Sequence, residues 1–104
     1  MAQEVGHQEL KTAQAHGQLI DVREEWEYED SHVPGAVNIP LGQLPDRIGE
    51  LNREQLVTVI CQSGGRSMRA ADFLIANGIE AVSVAGGTGA WVAAGQSVNR
   101  GSRP

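Results

Sequence analysis

The uncharged run Leu56-Val57-Thr58-Val59-Ile60 leads directly into Cys61-Gln62-Ser63-Gly64-Gly65-Arg66-Ser67, and the apolar-rich stretch Met68 to Asn77 follows. A β-branched apolar run reads as a buried strand, and Ala70, Ala71, Leu74 and Ile75 recur at helical spacing. Cys61 to Ser67 is therefore expected to be a tight strand-to-helix turn. Its two glycines let the backbone curl, so that several N–H groups converge in front of a helix N-terminus and form a cradle for an anion. The only cysteine of the chain opens that turn. A thiol held there should have its pKa lowered, because the helix dipole and Arg66 both favour the thiolate. By count alone a lone cysteine is a small buried hydrophobe. Its place after a parallel-type strand, in a glycine-containing turn with an arginine, makes it a nucleophile instead.

The rest of the chain alternates strand and helix signals. Glu4-Val5 allows a short strand. Gln8 to Ala15 reads as a short helix that Gly17 terminates, and Leu19 to Val22 as the next strand. Asp21 and Arg23 fall at the carboxyl end of that strand, the edge where open parallel sheets bind ligands. They are expected to support the site: the Asp21 carboxylate engaged by N–H groups or a cation, and Arg23 paired with a carboxylate of the segment Glu24 to Asp30. From Glu24 to His32 the charge density predicts a loop or one helical turn anchored by Trp26 and Tyr28. Ala36 to Ile39 is a short strand, and Asp46 to Leu51 carries Ile48 and Leu51 toward a core after Pro45. Ala81 to Val84 is a further buried strand, and Gly86-Gly87 turns into a last helix near Thr88 to Ala94. This pattern predicts an α/β domain, an open and mostly parallel sheet flanked by helices on both faces. Trp26 and Trp91 are expected in the core, and His32 as a hydrogen-bonding structural residue. Residues 96–104, rich in glycine, serine and arginine, are expected to be a loosely held tail.

A chain of 104 residues with 40% hydrophobic content holds one core and one domain, residues 1–104. A single cysteine excludes an internal disulfide and a multi-cysteine zinc site, fits a reducing compartment, and leaves no resolving thiol for dithiol redox chemistry. His7, His16 and His32 are too scattered for a metal site, so neither metal nor cofactor is expected. No long apolar stretch or signal-like N-terminus is present, so the expected setting is cytoplasmic, with no membrane partner. Net charge is −5, with 11 acidic and 4 basic residues in 1–54 against 2 and 4 in 55–104. The cationic half holds Cys61, which suits a small anionic substrate, and Lys11 is the only lysine, which argues against nucleic acid.

The stretch from Cys61 to Ser67 resembles the active-site loop of single-domain rhodaneses, a family of sulfurtransferases. Asp21-Val22-Arg23, Glu24 to Tyr28 and Ser31-His32-Val33-Pro34-Gly35-Ala36-Val37-Asn38-Ile39-Pro40 are similar to the family's upstream motif. Gly86-Gly87-Thr88-Gly89-Ala90-Trp91 is similar to its C-terminal one. The resemblance implies that Cys61 takes a sulfane sulfur from an anionic donor, becomes a persulfide, and hands the sulfur to cyanide or a thiol. Gln62, Ser63, Gly64, Gly65, Arg66 and Ser67 would bind substrate mainly through the backbone, and the Ser67 hydroxyl could cap the following helix. The protein would act as a monomer without a cofactor, with a protein sulfur donor or acceptor as a further partner docking on the acidic segment Glu24 to Asp30. Two other readings compete. One is a persulfide carrier or regulatory binding module with little free-standing turnover. The other is a cysteine phosphatase or arsenate reductase, whose loop places one residue more between cysteine and arginine than separates Cys61 from Arg66.

Overall fold

The computed structural model describes residues 1–104, apart from the side chains of residues 15 and 16. Five strands, β1 (Gln3–Val5), β2 (Gln18–Asp21), β3 (Val37–Asn38), β4 (Val57–Ile60) and β5 (Ala81–Val84), form one sheet in the order β1-β5-β4-β2-β3. Every pairing in it is parallel. Four α-helices connect the strands, α1 (Leu10–His16), α2 (Glu25–Asp30), α3 (Leu44–Arg47) and α4 (Gly65–Ala76), and α5 (Gly87–Ala93) follows the last strand. Short 3-10 turns precede α1 and flank α3. Among the described residues no helix is long and apolar enough to cross a membrane.

β4 lies at the centre of the sheet because all four of its side chains are apolar or β-branched and buried, which only a strand covered on both faces can use. On one face Val57 and Val59 pack with Ala70, Ala71 and Leu74 of α4 and with Leu44. On the other, Ile60 and Val84 pack with Leu10, Tyr28 and Trp91. The carboxyl ends of β2 and β4 lie side by side, Asp21 opposite Ile60, with Val22 N–H donating to the Ile60 carbonyl at 2.9 Å. Residues 21–23 and 61–64 therefore emerge at one edge, although some 40 positions separate them.

Several expectations change. α4 begins at Gly65, inside the expected turn, because Gly64 adopts φ +117° and lets the helix start at once; Gly65, Arg66 and Ser67 are its first turn. The acidic segment winds into α2, closed by a reciprocal capping box between Glu24 and Glu27. Tyr28 is buried there, but Trp26 is 74% exposed and belongs to no core. On so short a helix, one face docks on the sheet, and position 26 falls outside it. Residues 96–104 are also not loose. His32 and Asn99 pair as an antiparallel bridge, Trp91 Nε1–H donates to Ser97 O at 2.8 Å, and Gly101 N–H to Glu29 O at 2.8 Å. The fully buried His32 ring stacks on Tyr28 and contacts Tyr28 O through Nδ1 and Arg103 O through Nε2. Polar backbone on both sides holds the tail, an attraction that composition does not reveal.

The turn between β5 and α5 presses closely against the backbone of the cysteine loop. Gly87 has φ +56°, and a Cβ there would meet Cys61 O at 2.4 Å and Gln62 O at 2.7 Å. Gly87→Ala should therefore lower unfolding free energy by about 2–4 kcal/mol, through backbone strain and a clash that only backbone movement relieves. Gly49→Ala, where nothing lies within 4 Å of the added methyl, should unfold near the wild-type midpoint. Parallel urea titrations of the two variants measure the contrast.

Candidate active site

The loop from Cys61 to Gly64 is shaped by its neighbour. Thr88 N–H donates to Cys61 O at 2.8 Å and Gly89 N–H to Gln62 O at 3.0 Å. Across a trans peptide the carbonyl and the next N–H point in opposite directions. Fixing these two carbonyls against the start of α5 therefore turns the amides of Gln62 and Ser63 away from it, into the loop. Gly64 N–H then donates to Cys61 Sγ at 3.1 Å. Ser67, on the first turn of α4, brings its hydroxyl to 3.4 Å from Sγ.

Cys61 is buried. Burial pushes the thiol up, but the hydroxyl of Ser67 and the N–H groups of Ser67, Gly64 and Ser63 outweigh it, and the Cys61 pKa is lowered from its ordinary value. Arg66 is also engaged by a carboxylate. Its guanidinium forms a two-pronged pair with Glu27, Nη1 to Oε1 at 2.6 Å and Nη2 to Oε2 at 2.9 Å. That hydrogen-bonded pairing holds the Glu27 carboxyl below its usual range. The loop amides and a hydroxyl thus supply the hydrogen bonds to the thiolate, while the Arg66 guanidinium, although paired with Glu27, still attracts its charge.

Ser67 does not cap α4. It is the third helical residue, and its hydroxyl lies 3.1 Å from Gly64 O and 2.7 Å from the hydroxyl of Ser83 on β5. Ser67 and Ser83 are fully buried. Ser67 has one proton and three polar neighbours. If Ser83 donates to it, that proton is free to turn from Gly64 O to Sγ when the thiol ionises, and Gly64 O keeps the Met68 N–H at 3.1 Å. Ser83 was not visible as part of the site, since in the sequence it is one residue of a buried strand.

Asp21 and Arg23 form a buried ion pair, with Nε to Oδ1 at 3.0 Å and Nη2 to Oδ2 at 2.9 Å, and Arg23 N–H also donates to Oδ1 at 3.0 Å. Arg23 thus pairs with Asp21 and not with the segment 24–30. Their two-residue separation at a strand end lets the side chain fold back on its own neighbour, which the longer reach to α2 cannot match. Its remaining donors bind Ser31 O at 2.7 Å and Gln62 Oε1 at 3.1 Å. Arg23 thereby ties β2, the end of α2 and the cysteine loop together. Gln62 and Ser63 are exposed at the loop's outer side, and Gly65 is exposed beside them. Among the described residues no cluster of three or more His, Cys, Asp or Glu side chains could hold a metal ion.

Comparison with known proteins agrees with this geometry. The family model for the rhodanese-like domain matches residues 6–94. "Putative sulfurtransferase YtwF" of Bacillus subtilis is 40% identical over 70% of this chain and 71% of its own length. "Putative sulfur carrier protein YrkF" of the same organism is 45% identical over 62% of this chain, a match that spans only 35% of that protein. A rhodanese-related protein from Thermoplasma volcanium superposes with a TM-score of 0.86 at 30% identity, covering 93% of this chain and 97% of that one. A thiosulfate sulfurtransferase from Pseudomonas aeruginosa also gives 0.86, at 26% identity over 98% of this chain and 21% of that one.

Two measurements probe these contacts. Ser83→Ala should raise the pH midpoint of Cys61 alkylation by iodoacetamide, because Ser67 loses the hydroxyl that orients it and polarises its O–H toward the sulfur, and Ser83→Thr should restore it. Glu27→Gln should destabilise the protein above the ordinary carboxylate pKa of 4.5, where the wild-type carboxylate is charged in folded and unfolded states alike. As pH falls through the lower folded value, the wild type loses this contribution and the gap between the two urea midpoints closes.

Proposed function

This chain belongs to the rhodanese-like family, and we propose that it is a sulfurtransferase that carries sulfur as a persulfide on Cys61. The observation that supports this most is the single cysteine whose sulfur faces Gly64 N–H at 3.1 Å and the Ser67 hydroxyl at 3.4 Å. The thiolate attacks the outer sulfur of an anionic sulfane donor. The new Cys61 S–S bond forms as the donor's S–S bond breaks, and the electron pair leaves with the donor fragment. The terminal sulfur of the persulfide is then an anion, and the amides of Ser63, Gly64 and Ser67 that favour the thiolate can hold it as well. Cyanide or a thiolate attacks that sulfur, the Cys61 S–S bond breaks, and the thiolate returns. Both steps conserve atoms and electrons with no cofactor, in a monomer in the cytoplasm.

Gln62 to Ser67 bind sulfur anions through their backbone on this reading, and Asp21 and Arg23 position the loop. A carrier role uses the same persulfide and differs only in turnover. Phosphatase chemistry is disfavoured because both terminal nitrogens of Arg66 already hold Glu27, leaving no paired edge for a phosphoryl group.

Cys61→Ser should reduce sulfur transfer to cyanide or dithiothreitol to the uncatalysed level while keeping the wild-type unfolding midpoint. Wild-type protein should gain the mass of one sulfur atom after exposure to thiosulfate or polysulfide, and the variant none. Turnover of p-nitrophenyl phosphate with no sulfur gain from either donor would replace this function with phosphatase chemistry.

A further inference from the structure

Beside the cysteine loop lies an open cleft of about 420 Å³, with Trp26, Asp30, Gln62, Thr88, Gly89 and Val92 among its lining residues. Its features are those of a surface awaiting a partner. Trp26 is 74% and Val92 49% exposed, so two large apolar side chains lining the cleft face solvent. Thr88 lines the same cleft, is 2% exposed, and its Oγ1 has no hydrogen-bond partner.

The charge around the cleft selects the occupant. Arg23 and Arg66 are each closed by a carboxylate, Asp21 and Glu27. Glu24, Glu25, Glu29 and Asp30 are exposed on α2, and none of them takes part in an ion pair among the described residues. The nearby cations offset them only in part: Arg47 is held by Glu50, and Arg100, donating to the backbone carbonyl of Asp30 at 2.7 Å, sets one positive charge against four negative ones. Of the basic residues in 55–104, Arg66 is closed by Glu27, whereas four exposed carboxylates stand on this side of the cleft against Arg100. An approaching molecule meets a mainly negative rim with apolar anchors, while the attraction for a sulfur anion is local to the loop amides, the Ser67 hydroxyl and the carboxylate-paired Arg66.

We propose that this cleft docks a protein sulfur acceptor whose reactive cysteine lies in a basic segment, its apolar side chains against Trp26 and Val92 and its cations against α2. This deepens the persulfide reading and rests on it. The exposed carboxylates speed encounter with the basic segment, and the indole holds it while the acceptor thiolate attacks the terminal sulfur on Cys61. The acceptor leaves as a persulfide and Cys61 as thiolate.

The test uses two capped six-residue peptides with a central Cys-Leu, one flanked by lysine and arginine, the other by aspartate and glutamate. Sulfur-loaded protein should transfer to the basic peptide at least tenfold faster at low ionic strength, with the advantage shrinking as salt is added. The double variant Glu25→Lys and Glu29→Lys should abolish the preference, and Trp26→Ala should slow the basic peptide several-fold. Glu54→Lys with Glu80→Lys makes the same charge change at the opposite, amino-terminal edge of the sheet and should retain the preference. Equal rates for the two peptides, or equal loss in both double variants, would overturn the docking surface. Peptide binding to Cys61→Ser, read from Trp26 emission with Trp26→Phe as blank, separates the two ideas. Selective binding by a protein that never loads sulfur keeps the docking surface and removes the persulfide function. Loading with no preference, in binding or in transfer, does the reverse.

Discussion

The active-site loop depends on two backbone hydrogen bonds, from Thr88 and Gly89 N–H to the carbonyls of Cys61 and Gln62. Without them the carbonyls of the loop could turn inward, and oxygens would face the sulfur where amides now do. The contact is possible only because Gly87 has no side chain and accepts a positive φ. Two glycine-containing turns, one after β4 and one after β5, thus function as a single structure: the second rolls the first into a concave ring of donors. The thiolate is stabilised by dipoles fixed before any substrate arrives, so no reorganisation accompanies the change of charge.

Charge is used differently from what the residue types suggest. Each arginine close to the cysteine loop is held by a carboxylate, one pair inside the protein and one at its surface. The buried Asp21–Arg23 pair offsets its desolvation by directing the spare guanidinium donors to Ser31 O and Gln62, so it works as a strut between chain segments. The Arg66–Glu27 pair joins α4 to α2 and fixes the helix that carries Trp26. Positive potential near the sulfur comes from the amide ring and from an Arg66 whose charge Glu27 partly offsets, and the helix beyond carries exposed carboxylates. Local affinity for a sulfur anion and long-range preference for a cationic partner coexist because they act over different distances.

How much of this was legible in the sequence varies with the range of the interaction. The buried strand Val57–Ile60, the Cys61 turn, the helix after it and the alternation of strands and helices follow from periodicity and glycine placement, which are local properties. The buried end of β2 that carries Asp21 was legible for the same reason. Trp26 was misread because an aromatic residue beside Tyr28 suits a core equally well, and only the rotation of α2 against the sheet exposes one and buries the other.

By itself the sequence determined the parallel α/β architecture and the placing of its one thiol at a strand's carboxyl end before a helix, since apolar period, turn residues and a single cysteine leave little else. Tertiary structure decided the partners. Glu27 meets Arg66 from 39 residues away, Ser83 meets Ser67 from 16, and the tail reaches His32 from 71. Such pairs have no short-range signature: any of several carboxylates, hydroxyls or carbonyls could satisfy the same donor, and the choice falls to whichever the order of strands brings within 3 Å.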